Sequence, residues 1–147
     1  MPRLERPIRP DGPIIDVRIW IGPEHEEALA SGGFPVLPAF TVAGLLDTGA
    51  QMTAIQRVLA EGMRLPVHDW VKLRSSVLGA DEREAPVYSL RMTFGSLEAP
   101  DPPKWRIIRA VGVAVVSPGA AVLIGRDLLA TCRFTYDGRK SRLMISY

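Results

Sequence analysis

Cysteine is almost missing from this chain: Cys132 is the single one in 147 residues, which excludes an internal disulfide and leaves no cysteine spacing for a metal. Long apolar runs are missing too. No stretch approaches the roughly 20 unbroken apolar residues of a membrane helix, and the longest candidate, Ala110 to Val116, fits a buried strand instead. Charge of one sign is also scarce. With 18 Lys and Arg against 16 Asp and Glu the net charge is +2, and the basic residues are scattered among acids. Nucleic acid is therefore not an expected partner, nor is a membrane. The basic segment Met1-Pro2-Arg3-Leu4-Glu5-Arg6-Pro7 is not followed by an apolar h-region, so no secretory signal is expected and a reducing, cytoplasmic location is the default.

What the chain does contain describes a globular domain. Apolar residues make up 47% and charged residues 23%, a balance that favours a packed core over disorder. The length suits one domain. Residues 1–13 carry several prolines and charges and read as a flexible or extended N-terminal arm, with the domain proper over 14–147.

From Ile14 the sequence alternates, with Ile15, Val17, Ile19 and Ile21 on one face and Asp16 and Arg18 on the other, the pattern of a half-buried strand. Pro23 to Ala30 predicts a short helix, opened by proline and acids and ended by Ser31-Gly32-Gly33. A strand over about Ala39 to Leu46 and a helix over about Gln56 to Glu61, stopped by Gly62, follow. Trp70 to Leu73 and Val87 to Phe94 read as strands flanking a polar segment, about Ser75 to Ala85, which suits a projecting hairpin. Ile107 to Val116 and Ala121 to Ile124 read as buried strands, and Gly125 to Ala130 as a turn opening a short helix. The chain ends in a hairpin, with Arg133 to Tyr136 and Leu143 to Tyr147 flanking Asp137-Gly138. At least seven strands with only short helices predict an all-β, barrel-like domain.

One segment carries chemistry. Asp47-Thr48-Gly49-Ala50 sits where the apolar run Val42 to Leu46 ends. There Gly49 permits close approach, the Thr48 hydroxyl can fix the loop, and the apolar bracket strengthens electrostatics. Taken alone the segment also fits a tight turn after a strand. Amide hydrolysis by carboxylates needs two of them, one to take a proton from water and one to give a proton to the carbonyl. The chain has a single Asp-Thr-Gly, since Asp11-Gly12 and Asp137-Gly138 lack the hydroxyl residue and read as turns. A two-fold homodimer placing Asp47 of each subunit on the axis would supply the second.

Leu45-Leu46-Asp47-Thr48-Gly49-Ala50 resembles the active-site segment of retropepsins, the single-domain aspartic proteases of retroviral type, and Val122 to Leu129, with Ile124-Gly125-Arg126-Asp127 at its centre, resembles their second signature. The resemblance covers about Ile14 to Tyr147. It implies a closed β-barrel of the retropepsin or acid protease type with short helices, dimeric, whose terminal segments join a dimer sheet. It implies an aspartic endopeptidase with no cofactor and no metal, acting on an extended peptide or protein substrate. Within it Asp47 is the catalytic acid and base, Thr48 braces the two active-site loops across the dimer, and Gly49 and Ala50 complete the loop. Ile124, Gly125, Arg126 and Asp127 support that loop from behind, and Val77, Leu78, Gly79 and Ala80 belong to a flap over the substrate. The alternative is a catalytically silent dimerisation or peptide-binding module on the same barrel.

Two departures from the family pattern stand out. Gln51 replaces an acid found in many viral members, so Arg126 is left with at best a hydrogen bond to it, and the flap segment from Ser75 to Ala80 lacks a glycine-rich tip. Other candidates have plainer readings: His25 and His68 as surface or loop histidines, Cys132 as a packed thiol, Asp127 as a helix-start or salt-bridge residue, and Trp20, Trp70 and Trp105 as packing residues rather than a cleft lining.

Overall fold

The computed structural model describes residues 2–73, 83–96 and 103–147. Along the chain run β1 (Arg3–Pro7), β2 (Ile14–Ile21), α1 (Pro23–Ser31), β3 (Phe40–Leu46), β4 (Ala54–Gln56), α2 (Arg57–Gly62), β5 (Val67–Leu73), β6 (Arg83–Phe94), β7 (Arg106–Val113), β8 (Val122–Ile124), α3 (Arg126–Leu129), β9 (Arg133–Asp137) and β10 (Arg142–Ser146). Among the described residues, none of the helices is long and apolar enough to cross a membrane.

Seven of these strands hydrogen-bond in the order β2-β3-β8-β4-β7-β6-β5. Because β2 also pairs with β6, with Val17 opposite Phe94 and Ile21 opposite Leu90, the sheet closes into a ring and β5 hangs outside it on β6. The closed barrel expected from the retropepsin resemblance is thus present. Closure removes most unpaired strand edges and lets one face of every strand fill a common interior.

That interior is aliphatic. The β-branched residues Ile15, Val17, Ile19 and Ile21 of β2 are buried as the alternation predicts, and they pack with Leu90 and Met92 of β6, Val122 and Ile124 of β8, and Leu128. The opposite face of β2 is less open than alternation suggests. Arg18 is only 5% exposed, since β2 has neighbours on both sides and Arg18 lies between Thr41 and Thr93 in register.

β1, β10 and β9 form a separate antiparallel sheet in that order. The first residues of the chain are therefore extended and paired along their length, Arg3 opposite Ser146 and Pro7 opposite Arg142. Leu4, Phe134, Leu143 and Ile145 turn their side chains to the barrel core. On the solvent side Glu5 bonds Arg142, and that guanidinium holds the Glu5 carboxyl below the usual carboxylate range.

Three local expectations are corrected. The strand expected to reach Val116 stops at Val113, because its neighbour β4 spans only Ala54–Gln56 and the chain then turns into α2, which leaves Val115 72% exposed. α2 includes Gly62 rather than stopping at it, and the chain leaves the helix through Arg64, whose φ is 54°. The terminal hairpin turns over residues 138–141, not at Asp137-Gly138 alone; Ser141 takes the left-handed conformation at φ 47°, and the Asp137 carboxylate accepts from Lys140 N at 3.1 Å.

Candidate active site

Parallel pairing of β3 with β8 brings the two sequence signatures together. Gly44, Leu45 and Leu46 lie opposite Val122, Leu123 and Ile124, so both strands end at the same edge of the barrel and the loops that follow them meet there. The first of these loops carries Asp47. Its backbone N–H donates to Ile124 O at 2.9 Å, which joins the loop to the end of β8.

Within the loop, the Asp47 carboxylate is held by the chain that follows it. Oδ1 accepts from Gly49 N at 2.8 Å, an Asx-type turn that fixes the carboxylate without a side-chain partner. A Cβ at position 49 would lie 3.0 Å from that oxygen, so a larger residue would press on the carboxylate, and the preference for glycine comes from this proximity and not from an unusual backbone angle.

The second signature grips the loop from behind at three points. Arg126 N donates to Ala50 O at 2.9 Å, and the Arg126 guanidinium donates to Thr48 O at 3.0 Å and Gly49 O at 3.3 Å. Arg126 thus binds main-chain carbonyls, and the expected bond to Gln51 gives way to them. Two carbonyls converging on one guanidinium nitrogen satisfy groups that the tight turn leaves unpaired. Gly125 approaches closer still: a Cβ there would sit 2.5 Å from Met52 C and 2.8 Å from Thr53 N, both backbone atoms that have no room to withdraw.

Thr53 is the residue that the sequence reading passed over. It is fully buried; its Oγ1 donates to Asp127 Oδ1 at 2.7 Å and accepts from Gly125 N at 3.1 Å, while its backbone N–H donates to both Asp127 oxygens at 3.1 and 3.0 Å. Asp127 also accepts from Leu128 N at 2.8 Å. The helix-start role expected for Asp127 is present, and a hydrogen-bonded threonine takes the place of a salt-bridge partner. The available signal was a lone hydroxyl residue between Met52 and Ala54-Ile55, in a stretch otherwise committed to the core.

Beside the loop lies a cavity of about 560 Å³, lined by Gly49, Ala50 and Gln51 on one side and by residues of β4, β5, β7 and β8 on the others. β5 and β6 run antiparallel away from the barrel to the pair Leu73 and Arg83. The segment between them holds Val77, Leu78, Gly79 and Ala80, which lie outside the described residues. Among the described residues no tryptophan lines the cavity: Trp70 is 54% exposed on β5, and Trp20 packs against Trp105 with the rings tilted and their centroids 5.9 Å apart, under Arg91.

The remaining reactive side chains stand apart from this site. His68 is exposed on β5, and His25 belongs to α1. Cys132 follows α3 with Sγ donating to Leu129 O at 3.2 Å, and burial pushes its thiol pKa up. No group of three His, Cys, Asp or Glu side chains placed to hold a metal occurs among the described residues.

Comparison with known proteins agrees with this geometry. A family model described as aspartyl protease matches residues 39–128, a span that begins just before β3 and ends within α3. A crystal structure of a retropepsin-like aspartic protease from Rickettsia conorii superposes with a TM-score of 0.57 at 15% identity, covering 99% of this chain and 91% of that one. Among curated proteins no match is found. With the two signatures joined at one barrel edge and more than half its length matched by the family model, the chain belongs to the aspartyl protease family and has a retropepsin-like fold.

Proposed function

We propose that the protein is an aspartic endopeptidase whose active site forms between two copies of the chain, each contributing Asp47. The observation that carries this reading is the way the Asp47 loop is held. Its carboxylate is fixed by Gly49 N, its carbonyls by Arg126, and its neighbours open onto a cavity large enough for a peptide side chain. A loop braced so fully presents an acid in one orientation, which proton transfer requires.

The chemistry follows from pairing two such acids. Like charges held a few ångströms apart do not both ionise, so the pair keeps one shared proton, and its two apparent pKa values belong to the pair. The ionised Asp47 takes a proton from a water lying between the two; the water oxygen attacks the peptide carbonyl while the protonated Asp47 gives its proton to the carbonyl oxygen. The resulting diol gives one hydroxyl proton to the Asp47 that has become ionised while the other Asp47 passes its proton to the leaving nitrogen; the C–N bond breaks, and the pair again holds one proton. No covalent enzyme intermediate forms.

In this reading Thr48 braces the two loops across the dimer, and Ile124 to Asp127 hold each loop from its own side. The substrate lies extended over the cavity, where main-chain hydrogen bonds provide affinity and pockets provide selectivity.

Sedimentation combined with cleavage of a diverse peptide library on one preparation tests the proposal. Activity should rise with the dimer fraction, and Asp47→Asn should keep the fold and the dimer while hydrolysis disappears. Turnover that persists in Asp47→Asn, or that is undiminished at concentrations where only monomer sediments, overturns it.

A further inference from the structure

A charge taken out of water is normally paired, because burying an ion with no compensating partner is costly. Arg18 departs from that rule. It is 5% exposed, and no ion pair or hydrogen bond joins its guanidinium to any described residue. Nor does an arginine shed its proton inside a protein, so this charge is not relieved by titration.

Three buried side-chain atoms among the described residues have no hydrogen-bond partner: Arg18 Nε, Thr93 Oγ1 and His25 Nδ1. The first two belong to neighbours. Arg18 of β2 stands directly opposite Thr93 of β6, and Thr93 is 1% exposed. Thr41 of β3 flanks Arg18 on its other side, so the row Thr41, Arg18, Thr93 crosses three strands on the face turned away from the barrel core. Side chains directly opposite on one face of an antiparallel pair have Cβ atoms about 5 Å apart, close enough to share one small ligand. The charged neighbours on this face do not supply a counter-charge. Asp16, two residues along β2, is exposed and forms no ion pair with Arg18. Arg91, two residues along β6, is a second cation, and the nearby acid Glu26 is engaged by it at 2.6 Å.

We infer that Arg18 and Thr93 form a binding site for a small inorganic anion of the chloride or phosphate class. Such an anion accepts from Arg18 Nε–H and from the Thr93 hydroxyl at once, which satisfies both stranded groups and supplies the missing counter-charge. A water molecule accepts the same bonds but leaves the charge uncompensated. The near-complete burial of both residues selects against a nucleotide or a polyanion. Thr41 lies six positions before Asp47, about 20 Å of extended strand, so the site is remote from the catalytic edge and independent of the peptidase reading. Its consequence is a fold whose stability depends on the anion.

Melting of the full chain in sodium chloride or sodium phosphate, each against sodium gluconate of matched ionic strength, tests the inference. Gluconate is too bulky for the row. At roughly tenfold excess of anion over its Kd, wild type should melt about 4 °C higher than in gluconate. Arg18→Met should abolish the difference, and in gluconate it should melt no lower than wild type, because it removes an uncompensated charge. Thr93→Val keeps the shape and removes the hydroxyl, so it should weaken anion binding severalfold. Chloride NMR linewidth reads binding directly: wild type should broaden the signal, phosphate should reverse the broadening, and Arg18→Met should not broaden it. If Arg18→Met fails to fold, the linewidths of wild type and Thr93→Val still decide, and equal broadening by those two overturns the inference. Equal anion responses in wild type and Arg18→Met also overturn it. A response that appears only in Asp16→Asn identifies Asp16 as the counter-charge in solution and overturns it as well.

Discussion

Thr53 and Asp127 lock the two signature segments to each other: main chain and side chain of Thr53 both donate to the one carboxylate, and the Thr53 hydroxyl in turn receives Gly125 N. Thr53 is fully buried, so its hydroxyl and N–H have no water to fall back on, whereas Asp127 reaches the surface. Buried donors to a charged acceptor contribute more than neutral pairs, and one left unpaired carries its full desolvation penalty. Thr53→Val keeps the shape and removes the hydroxyl, which strands the buried Gly125 N. We expect a loss of about 2 kcal/mol in unfolding free energy, read from urea denaturation, with Thr53→Ser recovering most of it. Asp127→Asn keeps one acceptor oxygen but loses the charge and the second oxygen that accepts Thr53 N, and should lose a comparable amount. Equal stability of wild type and Thr53→Val would show that the cluster is not what holds the signatures together.

Gly125 is fixed by space. A methyl group there meets Met52 and Thr53 backbone at 2.5 to 2.8 Å, so Gly125→Ala must push the strand after the Asp47 loop away from α3. Overpacking of this kind typically destabilises by about 1–3 kcal/mol, and a backbone obstacle belongs at the upper end. Thermal melts should show a lower transition for Gly125→Ala than for Gly62→Ala, where a Cβ meets nothing within 4 Å. Matching melts for the two variants would contradict the close approach.

Arg126 acts on the Asp47 loop through Thr48 O and Gly49 O while remaining exposed. Its removal should therefore affect function more than folding. For Arg126→Met we expect unfolding free energy within about 1 kcal/mol of wild type but hydrolysis lower by on the order of 10²-fold, the scale on which small displacements of a reacting group act. The fall should appear in kcat more than in KM, since Arg126 holds the loop that carries Asp47 and does not itself line the cavity. A variant with full turnover would show that the loop keeps its position unaided.

How much of this was legible in the sequence depended on range. β2 and β6 were readable because a strand with one buried face repeats every second residue, and Ile15 to Ile21 and Tyr88 to Phe94 keep that period. The two signatures were readable because their residues are contiguous. The closure of β2 on β6 was not, since nothing local to Val17 names Phe94 as its partner. Nor was Thr53, whose importance arises from a carboxylate 74 positions away. Arg126 shows the same limit in miniature: side-chain chemistry suggested Gln51, whereas the turn itself supplied two carbonyls that no residue letter reveals. Strand ends were misjudged where the partner ran out first, as at Val113.

The last prediction concerns acid and the edge strand β1. Hydrogen bonding from Arg142 lowers the Glu5 pKa in the folded chain and raises that of Arg142. A carboxyl whose folded pKa is depressed contributes stability above its unfolded value, and that contribution fades as pH falls through the folded pKa. Arg142 stays protonated throughout, so Glu5 alone sets the window, which opens below about 4.3, the ordinary glutamate value. Both side chains face solvent, so the effect is local: β1 should loosen from β10 while the barrel persists. Hydrogen exchange compared at pH 6 and pH 3, after correction for intrinsic rates, should show protection falling first at the β1 amides that bond to β10, with those of β2 and β6 still protected. In Glu5→Gln the pH dependence should flatten, with β1 already less protected at pH 6. Loss of protection in β1 and β2 together at one pH would instead mean that acid acts on the whole fold and that the Glu5 to Arg142 contact plays no separate part.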